Sequence, residues 1–157
     1  SWRAKQFNLK TKFIKLAGEI NDNRPKEVAN NLISILKKKI KVKEKILILG
    51  LSYKKNSDDI RNSPPLQICE YLGKKTKYQI IVCDPLVNAG VYNQLQRFEF
   101  ENVKNLKNKY FIKKFKAIIV MTDHDIFDYN LLHKNSKILI DCTNIYSNKK
   151  FKKVIKI

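Results

Sequence analysis

A chain of 157 residues and 18.5 kDa has room for one domain and an appendage but not for a two-domain enzyme, since domains usually run to about 100–200 residues. At 43% hydrophobic and 10% aromatic it is too apolar for a disordered polybasic tail, which could not offset its ordering entropy. The net charge of +19 would suit nucleic acid or an anionic surface, yet 29 Lys stand beside only 4 Arg, with 16 Asn and 20 Ile, a pattern of A/T-rich coding bias rather than of a dedicated phosphate reader.

The first 43 residues read as helical. Phe13, Ile14, Leu16, Ala17 and Ile20 recur at spacings of three and four, as one buried helix face requires. Asn21, Asp22, Asn23 and Pro25 then interrupt or kink the pattern, because proline lacks a backbone donor and crowds the preceding turn. A second helical stretch carries Val28, Ala29, Leu32, Ile33, Leu36 and Ile40 on one stripe and ends in Lys37, Lys38 and Lys39, where cations suit the helix dipole. That stripe needs cover from the following domain, an upstream domain or a second copy of the chain.

From residue 44 short apolar runs alternate with amphipathic segments. Ile46 to Leu49, ending at Gly50, reads as a strand buried on both faces. A polar loop, Leu51 to Asn62, leads to Ser63, Pro64 and Pro65, a helix start whose buried face is Leu66, Ile68, Cys69 and Leu72. Further strands are expected at Gln79 to Cys83, Ala117 to Met121 and Ile138 to Asp141, with short helices at Val91 to Gln96 and within Asn105 to Lys114. The Lys-rich tail from Lys149 reads as a frayed or weakly docked end. The alternation predicts an α/β, doubly wound, mostly parallel Rossmann-like sheet over residues 44–157, preceded by the helical segment 1–43.

In such a sheet ligands bind beyond the carboxyl ends of the strands, near the point where strand order reverses. The loop after the first strand sets Tyr53, able to stack on a base, beside Lys54, able to meet a phosphate, ahead of a helix start. The plainer alternative is a solvated loop in which Asp59 pairs with Arg61. Asp84 would hold ribose hydroxyls in a dinucleotide fold, but the four glycines form no G-x-G-x-x-G, so a turn role beside Pro85 is expected. His124, flanked by Asp123 and Asp125, would suit acid–base work; the simpler reading is a surface histidine with Asp125 capping a helix near Ile126. Cys69, Cys83 and Cys142 have no C-x-x-C spacing, and with two His a metal site is not expected. Reduced cysteines, no long apolar run and no signal-like start point to the cytoplasm.

Taken in order, SWRAKQF, KFIKLAGEINDNRP, KILILGLSYKKNSDDIRNSPPLQICEYL, VCDPLV, VMTDHDIFDY and ILIDCTN resemble the nucleotide-sugar 6-dehydrogenase family, across nearly the whole chain. The resemblance implies the central helix and the C-terminal UDP-binding domain of an NAD-dependent enzyme that takes a sugar C6 alcohol to a carboxylate in two hydride transfers. It places the catalytic cysteine, the catalytic lysine and the NAD site outside this chain, which alone would be inactive, and so excludes the three cysteines as the nucleophile. It assigns the UDP-sugar contacts to Tyr53 and Lys54, with Arg61 in the same motif, and a homodimer contact to the helix around Val28 to Ile40. Many members have arginine in D-x-R-N after the last strand, reaching the substrate across the dimer. Here that position is Thr143, one hydroxyl in place of a fork of donors. SWRAKQF and TDHDIFDY are most similar to the UDP-N-acetylhexosamine branch. The alternative is a basic module that binds nucleic acid or another protein. Nucleic acid and membrane are not the expected partners.

Overall fold

The computed structural model describes residues 3, 6–7, 11–88, 90, 95–147, 151 and 154–157. The helical segment is α1, Lys12–Lys39, and it runs unbroken through Pro25, where two stretches were expected. The missing Pro25 donor leaves the helix one bond short, a cost of about 3 kcal/mol. Pro25 is buried, which offsets part of that cost, and Asn23 Nδ2 donates to the Glu19 carbonyl at 2.8 Å in the same turn.

The two halves of α1 have opposite environments. Ala29, Leu32, Leu36 and Ile40 are buried against α2, Pro64–Lys75, and the adjoining sheet face. The stripe from Val28 to Ile40 is therefore covered by the chain's own domain and is not a free dimer face. The first-half stripe, expected to be buried, is open: Phe13, Ile14, Leu16 and Ile20 are each more than half exposed.

Among the described residues the sheet has six strands: β1 Lys45–Leu49, β2 Gln79–Cys83, β3 Glu99–Phe100, β4 Ala117–Val120, β5 Leu139–Asp141 and β6 Val154–Lys156. Their order is β3-β2-β1-β4-β5-β6 and every pair is parallel. The described strands form the α/β doubly wound arrangement that the alternation predicts. Strand period two sends Ile46 and Ile48 to the α1/α2 side and Leu47 and Leu49 to the other, where Ile118, Val120, Phe115 and Tyr146 pack. Both faces are covered, which is why β1 reads as a continuous apolar run.

Of the local expectations, two are corrected and one holds. The tail is an edge strand, since β6 pairs Val154, Ile155 and Lys156 with Leu139, Ile140 and Asp141. The short helix expected within Asn105 to Lys114 is present as α3, Lys109–Ile112, preceded by a 3-10 turn, Val103–Lys107, each started by an asparagine side chain. The helix expected near Ile126 is α4, Tyr129–Asn135, capped by Asp128 rather than Asp125. Most of the helix expected at Val91 to Gln96 lies outside the described residues. Ser63 does cap α2, accepting from Leu66 N–H while donating to the Leu51 carbonyl at 2.5 Å.

Candidate functional site

Strand order reverses between β1 and β4, so the loops after these strands, 50–63 and 121–128, meet over the carboxyl end of the sheet. Gly50 sets their spacing. Its φ is +83°, and a Cβ there would lie 2.4 Å from Thr122 Cβ, so only glycine lets the two loops approach. Leu49 O accepts from the N–H groups of Met121 and Thr122, and Thr122 Oγ1 donates to Ser52 O at 2.9 Å.

Asp84, at the end of β2, holds the base of the first loop. One carboxylate oxygen accepts from Leu51 N–H at 2.7 Å and Ser52 N–H at 3.2 Å; the other accepts from Leu86 and Val87 N–H, both at 3.0 Å. Burial pushes its pKa up, but the His124 ring and these N–H groups outweigh that and hold it below the ordinary value. The expected turn role is thus present, with a second role that sequence did not suggest, tying two loops together.

His124 is not a surface residue: it is fully buried, with Nε2 near Ser52 Oγ and Asp84 and Nδ1 accepting from Asn56 N–H. Asp125 does not cap a helix, because Lys55 and Asn56 occupy it. Lys55 Nζ lies 2.5 Å from Asp125 Oδ1, and Asn56 donates from its side chain to Asp125 Oδ2 and accepts from Asp125 N–H. Asn56 sits at φ +54°, a left-handed conformation that asparagine tolerates better than most residues.

What remains facing solvent is the short span between these ties. Tyr53 is 51% exposed and Lys54 is exposed, and among the described residues no carboxylate pairs with the Lys54 ammonium. With Ser57, Asp59, Arg61 and Asn62 they line an open groove of about 500 Å³, polar on most of its walls. A second groove of about 530 Å³ shares Tyr53 and Asn62 and runs to Arg24, Pro25 and Val28 on α1 and Gln67 on α2. Tyr53 stands between the two.

Of the residues singled out from sequence, the groove brings Tyr53, Lys54 and Arg61 together and leaves Thr143 out. Arg61 forks onto Asp59, with Nε to Oδ1 and NH2 to Oδ2 both at 2.9 Å, as the plainer reading of this loop had it. That fork holds the Asp59 carboxyl at about 2. Thr143 Oγ1 donates to Asp141 Oδ1 at 2.9 Å within the turn after β5. Burial pushes the Cys83 and Cys142 thiols up to about 12, and Cys69 higher still, so none is an activated nucleophile. Among the described residues no three His, Cys, Asp or Glu side chains are grouped to hold a metal.

Residues 47–148 match the sequence profile of the UDP binding domain of the UDP-glucose/GDP-mannose dehydrogenase family. The chain belongs to that family. It is 31% identical over 160 aligned positions to UDP-N-acetyl-D-mannosamine dehydrogenase of Methanococcus vannielii, an alignment that takes in 97% of this chain and 35% of that protein. It is 39% identical over 98 positions to the enzyme of that name from Campylobacter jejuni, covering 61% of this chain and 22% of the other. Among solved structures, UDP-D-ManNAc dehydrogenase from Pyrococcus horikoshii superposes with a TM-score of 0.67 at 28% identity, over 98% of this chain and 35% of that one. The chain spans about a third of the length of these relatives, apart from the shorter Campylobacter alignment.

The UDP-binding domain has the Rossmann strand order without the means to hold a dinucleotide in the usual way. Gly50 is followed by Leu51 and Ser52 rather than by further glycines, and the acid after β2 spends its carboxylate on backbone N–H groups. NAD does not fit this site.

Proposed function

We propose that residues 44–157, with the second half of α1 packed into their core, form the UDP-sugar-binding domain of an NAD-dependent UDP-sugar 6-dehydrogenase, and that residues 1–43 act as its central helix. The observation that carries this reading is Tyr53 beside Lys54, side chains outward, on a loop tied at both ends over the strand-order reversal. Tyr53 offers a face for the uracil ring, and stacking of this kind contributes about 0.5–1.5 kcal/mol beyond burial. Lys54 offers an ammonium to the diphosphate. Arg61 reaches the same groove with donors that it shares with Asp59. The oxidation itself, and the NAD it uses, belong to residues outside this chain, because its cysteines are masked by burial and its sheet lacks a dinucleotide cradle. Relatives named for UDP-N-acetyl-D-mannosamine favour an N-acetylhexosamine as the sugar.

Calorimetry with UDP on this chain tests the reading. Tyr53→Ala and Lys54→Ala should each raise Kd by about tenfold, equivalent to about 1.4 kcal/mol. No heat at millimolar UDP would leave the family and the fold but remove the site. We further propose that a second copy of the chain covers Phe13, Ile14, Leu16 and Ile20, in place of the contact first expected around Val28 to Ile40. Exposed apolar side chains along one face of a continuous helix support this.

A further inference from the structure

We propose that His124 is a positioning residue for the nucleotide, acting through Asn56 on the loop that presents Tyr53 and Lys54; this rests on the UDP reading of that loop. Asn56 N lies 3.1 Å from His124 Nδ1. A backbone N–H can only donate, so Nδ1 carries a lone pair and the ring proton is on Nε2. Nε2 faces Ser52 Oγ at 3.2 Å and Asp84 Oδ2 at 3.3 Å, both acceptors for that proton. Ser52 Oγ is free to accept because its own hydrogen goes to the Lys54 carbonyl at 2.8 Å.

The direction of every bond around the ring is therefore set. Through Ser52 the imidazole fixes the Lys54 carbonyl, and through Nδ1 it fixes the Asn56 amide, so it holds the chain on both sides of the groove-facing pair. Its remaining ring edge packs against Phe127, centroids 5.7 Å apart and planes at 84°. Without the Nδ1 acceptor, a left-handed Asn56 would keep only its solvent-exposed contacts to Asp125.

Ser, His and Asp meeting in one buried cluster resemble a nucleophilic triad, but the geometry excludes one. Ser52 and Asp84 lie at the same ring nitrogen, so the acid cannot orient the ring from Nδ1 while Nε2 takes the serine proton. Ser52 is also fully buried and out of reach of a substrate. The cluster holds a loop and performs no bond chemistry.

The test combines side-chain nitrogen NMR, amide hydrogen exchange and UDP calorimetry on the full chain. In the parent protein the imidazole should be neutral with the proton on Nε2, and the Asn56 amide should be protected. His124→Phe keeps the ring volume and the contact with Phe127 but removes the acceptor. It should speed exchange at Asn56 by about tenfold and raise the UDP Kd by about tenfold, leaving Ile48 and Ile119 protected. His124→Asn places a carbonyl oxygen near the Nδ1 position and should restore both readings to within about threefold. A proton on Nδ1, or unchanged Asn56 exchange and UDP affinity in His124→Phe, overturns the proposal. If His124→Phe loses protection throughout the sheet, the decision passes to His124→Asn, and failure to protect Asn56 there overturns it. A parent protein with a protected Asn56 but no UDP heat overturns the nucleotide reading while the loop-holding role stands, which separates the two.

Discussion

The Asp84 carboxyl binds its proton less readily in the folded chain than in the unfolded one, despite being buried, because the His124 ring and the Leu51, Leu86 and Val87 N–H groups favour its charged form. Its contribution to stability is therefore present above the unfolded value near 3.8 and is lost as pH falls through the lower folded value. Urea midpoints measured from about pH 6 to about pH 2 should drop over that acid window, and Asp84→Asn should flatten the drop while costing about 2–3 kcal/mol at neutral pH. Gly50→Ala makes a sharper demand on one position. A left-handed φ and a Cβ 2.4 Å from Thr122 Cβ should together cost about 2–4 kcal/mol in a urea titration, and a loss below about 0.5 kcal/mol would mean that the two loops are not so closely seated. That Tyr53, Lys54 and Arg61 share the loop after β1 was readable from sequence, because an aromatic beside cations after a buried strand is a local pattern. His124 was not, since its burial depends on which loops become neighbours, and that follows from strand order rather than from the residues at positions 122–125.

Among the elements, the strands that are buried on both faces and the Ser63-capped α2 were legible, because apolar runs and proline after a cap are strong local signals. β3 and β6 were not, being two and three residues long and fixed by their partners β2 and β5 rather than by their own pattern. α1 shows the same split within one helix. Periodicity marked both halves as apolar and could not tell which one the domain itself would cover. Leu36→Ala, in the covered half, should cost about 2–5 kcal/mol in urea unfolding. Leu16→Ala, in the exposed half, should change monomer stability by less than about 0.5 kcal/mol and act on self-association instead. Sedimentation equilibrium of Leu16→Ala beside the parent separates these effects, and equal association constants would remove the second-copy contact.

At the scale of the whole molecule, the net charge of +19 is distributed over a folded α/β domain, and the cation that we propose meets the nucleotide is a single lysine at the sheet's reversal point. Any retention on a DNA column should be independent of sequence and should collapse between about 50 and 200 mM salt. Binding that survives higher salt would revive the nucleic-acid alternative. None of the described helices is long and apolar enough to cross a membrane.

The all-parallel topology also sets when the groove can exist. Among the described strands no pair is closed by a hairpin: β1 waits for β2, some thirty positions on, and for β4, about seventy positions on. The hydroxyl of Thr122 that grips Ser52, and the His124 ring behind it, likewise come about seventy positions after the loop they hold. Contacts of such long sequence separation form slowly, because the loop entropy is spent before any pairing energy returns. The Tyr53–Lys54 edge should therefore be among the last parts of the molecule to become ordered during refolding, and in a chain still emerging from the ribosome the proposed nucleotide site cannot form until its β4 loop is out.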